Sequence, residues 1–150
     1  MKKILLLFIS LVSVVVNAQN KTIKVSTIRL KEVTGEYCKD VNLETKDTLS
    51  YVTIGFQNAK YSNISDYKTL HFNNQTQLDE FINDLKTALP ELGTKQILTW
   101  NRKLYDLTIG EGFSNTLFLF ADTQSGYTML KKNDIEKLLK WFESFRIGKE

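Results

Sequence analysis

The chain has 150 residues, with 20 Lys and Arg against 17 Asp and Glu for a net charge of +3, and it holds one cysteine and one histidine. That length suits one ordinary domain with a core of its own. A lone cysteine excludes an intramolecular disulfide and a multi-cysteine metal site, and so balanced a charge carries no electrostatic signature of nucleic-acid binding.

Residues 1–18 have the three parts of an export leader. Lys2 and Lys3 are followed by an apolar run from Ile4 to Val16, and Val16-Asn17-Ala18 supplies a cleavage site ahead of Gln19. The run is too short for a permanent span of a roughly 30 Å hydrocarbon layer. The expected product is a secreted or periplasmic α+β domain over residues 19–150, with possible halves 19–93 and 94–150. Cleavage also removes Lys2 and Lys3, so the exported body is close to neutral. Three N-x-S/T triplets, at Asn20, Asn63 and Asn74, matter only in a host that glycosylates.

Thr22 to Val33 is rich in β-branched residues and predicts a strand. Thr34 to Thr48 has no clear period and reads as a long polar loop, a common seat of function. Cys38 falls inside it and is expected to be a half-buried small residue. Leu49 to Phe56 alternates, with Val52, Ile54 and Phe56 on one face and Tyr51 and Thr53 on the other. Tyr67 to Phe72 alternates again, which puts His71 opposite Leu70 and Phe72.

Leu78, Phe81, Ile82, Leu85, Ala88 and Leu89 follow helical spacing, with Thr76 and Asp79 as a capping pair and Pro90 as the stop. Asp79, Glu80 and Asp84 cluster near its start, where negative charge favours a helix, so a structural role is expected of them. Gln96 to Trp100 and Leu104 to Ile109 predict paired strands. Thr116 to Ala121 is almost wholly apolar and predicts a central strand. Tyr127 to Leu130 predicts another strand. Ile135, Leu138, Leu139, Phe142 and Phe145 repeat the helical spacing, with Asn133 as the cap.

Strands lead into a helix twice. The helices superimpose as Leu78 on Ile135, Phe81 on Leu138 and Leu85 on Phe142, with Leu70 on Tyr127 and Phe72 on Met129 before them. Tyr51 to Gly55 also resembles Tyr105 to Gly110. The expectation is an internal repeat of strands then helix, with antiparallel sheet or sheets and two amphipathic helices packed on the apolar face. This order of elements is similar to that of Whirly and related single-strand nucleic-acid-binding domains. That likeness implies a nucleic-acid-binding alternative; a cystatin-like module is similar to the same degree.

Chemistry is sparse. One histidine and one cysteine, 33 positions apart, leave a zinc site mostly to carboxylates, a weak ligand set, and there is no calcium loop, nucleophile elbow or phosphate-binding glycine loop. A carboxylate hydrolase would use Asp106 and Glu111 first. Aromatic side chains on outer faces offer contact area for a sugar or a protein. The leading expectation is therefore an exported, non-catalytic binding domain without metal or cofactor. Its candidate ligand residues are Tyr51, His71, Trp100 and Trp141, and its partner is a protein or glycan rather than nucleic acid. A secreted hydrolase and a single-strand nucleic-acid binder are the alternatives.

Overall fold

Two antiparallel sheets of four consecutive strands, each followed by a helix, make an α+β fold. It is described by a computed structural model over residues 20–60, 66–110, 113, 115–121 and 126–149. The leader, the triplet at Asn63 and the candidate Glu111 lie outside these residues. Among the described residues, no helix is long and apolar enough to cross a membrane.

Sheet A holds β1 (Asn20–Arg29), β2 (Val33–Asn42), β3 (Thr48–Gln57) and β4 (Tyr67–Phe72), in that order, and leads into α1 (Gln75–Glu91). Sheet B holds β5 (Leu98–Asn101), β6 (Tyr105–Ile109), β7 (Thr116–Ala121) and β8 (Tyr127–Lys131), and leads into α2 (Lys132–Phe142). The chain then returns to sheet A as β9 (Gly148–Lys149), which pairs with the start of β3.

The expected loop from Thr34 onward is a correction. Thr34 to Asn42 belongs to β2, paired on both sides by β1 and β3. Its inward positions are Val33, Gly35 and Tyr37, all buried. Gly35 has no side chain to reveal the alternation, so the strand is hidden in the sequence. The reason for glycine is steric. A Cβ there would lie 2.7 Å from Trp141 Cζ3 and 2.8 Å from Ile28 Cγ2. Gly35 is thus the floor of a slot in sheet A that takes the indole of α2.

The helices form where the apolar period required, with altered ends. Asn74, not Thr76, caps α1; its Oδ1 accepts from Gln77 N at 3.0 Å. Pro90 lies in the last turn, and the helix ends one residue beyond it. In α2 the cap is Lys131, whose backbone N donates to Asp134 at 3.1 Å. Phe145 lies past the helix end yet stays buried, stacked on Tyr37 at 4.4 Å.

One core serves both units. Phe81 of α1 sits at its centre, 5.1 Å from Phe72 of its own unit and 4.8 and 6.0 Å from Tyr105 and Phe142 of the other. Of the expected core residues, Ile82 and Leu139 are only half-buried at its margin.

The two units correspond, with two shifts. Leu78, Phe81 and Leu85 are buried, as are Ile135, Leu138 and Phe142. In the strands, however, the buried pair matching Leu70 and Phe72 is Thr128 and Leu130, not Tyr127 and Met129. Six positions separate the last buried strand residue from the first buried helix residue in the first unit, Phe72 to Leu78, and five in the second, Leu130 to Ile135. The likeness of Tyr51–Gly55 to Tyr105–Gly110 joins strands that are not equivalent, the third of one unit and the second of the other.

Candidate functional site

The apolar run of β7 produces the most distinctive surface in the molecule. Side chains alternate across a strand. Leu117, Leu119 and Ala121 point into the core and are buried, which sends Phe118 and Phe120 to the opposite face of sheet B. Both are half-buried there. Register places Met129 and Tyr127 of β8 beside them, with Thr108 and Asp106 of β6 on their other flank. β7 is the central strand its sequence predicts, lying between β6 and β8, and only its inner half enters the core.

Phe113 extends this face. Its backbone N donates to Gly110 O and its O accepts from Thr116 N, which brings its ring to 5.7 Å from that of Phe118 at an interplanar angle of 88°. Phe118 and Phe120 each lie within 6 Å of Tyr127, at 5.6 and 5.5 Å. Phe118 meets Phe113 and Tyr127 edge to face and lies 6.5 Å from Phe120 in a stacked pair at 29°, arrangements that ring quadrupoles favour. Phe113 and Met129 are 59% and 38% exposed, and Ile97, just before β5, is 61% exposed. Aromatic and thioether side chains gathered on one outer face differ in kind from the single apolar residues scattered on any surface.

A hollow of about 300 Å³ adjoins the face where β7 begins and β8 ends. It is lined by Lys31, Glu32, Thr116, Met129, Lys131 and Asp134. Lys31 and Glu32 form an ion pair at 3.1 Å in the turn between β1 and β2. A second hollow, of about 310 Å³, lies at the far end of sheet A between the turn after β2 and the start of β1, and includes Asp40 and Asp47. Each of these carboxylates accepts from a threonine hydroxyl, Thr22 at 2.6 Å and Thr45 at 2.9 Å.

The four candidates taken from the sequence fall in three places. Tyr51 and His71 share the outer face of sheet A. His71 is exposed, with Nδ1 3.2 Å from Thr53 Oγ1. Tyr51 is half-buried opposite Cys38, and burial, with the negative charge of Asp40, raises its pKa. Burial likewise raises the Cys38 thiol, helped by Glu36. Trp100 lies across from Leu107 on the inner side of sheet B and packs on the core. Trp141 fills the slot over Gly35 and donates from Nε1 to Ser26 Oγ at 2.9 Å. Asp106, a hydrolase candidate, stands beside Phe120 on the aromatic face. Among the described residues, no three His, Cys, Asp or Glu side chains gather as a metal site.

The acidic cluster of α1 is tied into the fold. Asp84 is 2% exposed and accepts from Arg102 Nε at 2.7 Å, Arg102 Nη2 at 2.8 Å and Tyr105 OH at 2.9 Å. The hydrogen bond to Asp84 raises the Arg102 pKa, and burial followed by the same carboxylate raises that of Tyr105. Glu80 adds a contact to Arg102 at 3.4 Å, and Asp79 accepts from Gln75 at 2.7 Å.

No known protein family, curated protein or solved structure matches this chain. The aromatic face was readable in principle. The outward positions of β6 are polar, Asp106 and Thr108, while those of β7 are phenylalanine. An interior strand whose neighbour is polar on one side has a face that does not belong to the core.

Proposed function

We propose that this chain is an exported, non-catalytic binding domain that engages a protein partner on the outer face of sheet B. The observation that carries the reading is the ring cluster of Phe113, Phe118, Phe120 and Tyr127, with Met129 beside it, held away from the core by the alternation of β7 and β8. Partner interfaces concentrate their energy in such aromatic anchors. Of the five side chains only Tyr127 offers a group to bond a sugar hydroxyl, and Phe113 and Tyr127 cross Phe118 at 88° and 64°, which breaks up a flat platform for a pyranose. Both features favour a protein over a glycan. The leader pattern at Lys2 to Ala18 supports export.

The test is affinity capture from the secreting cell with wild-type protein and with a Phe113→Asp, Met129→Asp variant. Both positions are exposed, so the variant should keep the wild-type thermal midpoint. The expected result is a protein recovered by the wild type and lost with the variant. Recovery of the same protein by both would overturn the assignment of the face.

A further inference from the structure

We infer that the outer face of sheet B receives one amphipathic helix of a protein partner, about three turns long, with its N-terminus toward Asp106 and its C-terminus toward Lys131. The inference rests on the reading of this face as the binding surface and specifies what the surface takes. Size is the first argument. Strands lie roughly 4.8 Å apart and rise roughly 3.3 Å per residue, so β6 to β8 offer a strip about 10 Å wide and about 17 Å long. A helix is about 10 Å across and rises 1.5 Å per residue, so about eleven residues cover that strip. A second copy of this chain meeting the strip face to face would have a footprint of about 170 Å², against roughly 800 Å² per partner in a stable interface.

Charge gives the direction. In β5 to β8 the only charged residues are Asp106 and Lys131. They stand at opposite ends of the strip: Asp106 beside Phe120, and Lys131 beside Thr116. Phe118, Phe120, Tyr127 and Met129 lie between them. A helix carries partial positive charge at its N-terminus and negative charge at its C-terminus, so this polarity favours one orientation over its reverse. The hollow next to Lys131 gives the C-terminal turn room for a side chain; on its wall Lys31 is paired with Glu32, and Asp134 accepts from the Lys131 backbone N. Adaptable Met129 and the rings then meet an apolar stripe spaced three and four residues apart.

The probes are three twelve-residue peptides of one composition. The first has a leucine stripe at helical spacing, lysine in the first turn and glutamate in the last. The second exchanges those charges, and the third rearranges the stripe to strand alternation. Binding is read by fluorescence anisotropy and mapped by amide chemical shifts. The expected result is shifts centred on Phe118, Phe120 and Met129, with the charge-exchanged peptide weaker by about fivefold or more. An Asp106→Lys, Lys131→Asp variant should reverse the preference. Equal binding of the strand-patterned peptide, or a preference that the double variant leaves unchanged, would overturn the helix. So would self-association through this face by sedimentation equilibrium, or its adsorption to phosphatidylglycerol vesicles, while the face itself stayed a binding surface. If all three peptides bind and their shifts fall elsewhere, both readings fail.

Discussion

At the scale of single residues, Asp84 decides most. A nearly excluded carboxylate costs several kcal/mol unless its partners compensate, and here a bidentate guanidinium and a phenol do so. Helical periodicity placed Asp84 in α1, but neither partner was readable, because Arg102 and Tyr105 reach it from another unit of the fold. Asp84→Ala should cost about 3 kcal/mol in urea denaturation, since it strands a guanidinium and a hydroxyl together. Tyr105→Phe, which removes one bond, should cost about 1 kcal/mol. The phenol also sets an alkaline limit. Its pKa is raised in the folded state above an ordinary value of 10.0, so the native state favours the protonated form. That contribution is complete below pH 10 and is lost as pH rises above it. The thermal midpoint should fall from there upward, and the fall should be shallower in Tyr105→Phe. An identical alkaline slope in the two proteins would assign the effect elsewhere.

At the scale of elements, the strands with intact alternation were legible and β2 was not. β3, β4 and β7 lie where their patterns predict, because buried apolar residues such as Val52, Ile54 and Phe56, Leu70 and Phe72, and Leu117 and Leu119 mark every second position. In β2 the middle inward position is Gly35, and the partner that fills the space comes from α2, more than a hundred residues away. A period-two pattern cannot register a side chain donated by another element. The same long-range contact explains why Trp141, off the main stripe of its helix, is not a free surface aromatic. Gly35→Ala should therefore destabilise by about 2 kcal/mol, since the new methyl meets both the indole and Ile28. Trp141→Leu should cost stability alone, yet reduce the cost of Gly35→Ala when the two are combined. Strict additivity in that double-mutant cycle, read by chemical denaturation, would remove the slot as the reason for glycine.

At the scale of the molecule, the question is whether two similar units behave as one. Asn58, wholly buried at the end of β3, is the joint between them. Its Nδ2 donates to Asp66 at 2.7 Å, while its Oδ1 accepts from Lys60 N at 3.0 Å and from Tyr127 N at 3.2 Å. Ala59 N adds a bond to Tyr127 O at 2.7 Å, so the end of β3 in sheet A is bonded to the start of β8 in sheet B. The return of β9 to β3 and the shared core around Phe81 join the same halves at other points. Three independent links predict one cooperative transition. Asn58→Ala leaves two backbone N–H groups without their acceptor and should lower stability by about 3 kcal/mol, with the transition still single. The two tryptophans provide the reporters. Trp100 stands in sheet B, and Trp141 stands where α2 meets sheet A. Single-tryptophan forms, made with Trp100→Phe or Trp141→Phe in the Asn58→Ala background, should each show fluorescence and far-ultraviolet dichroism melting together in urea. If the Trp100 signal and the Trp141 signal instead separate from the dichroism in opposite directions, the units unfold independently, and the core around Phe81 does not couple them.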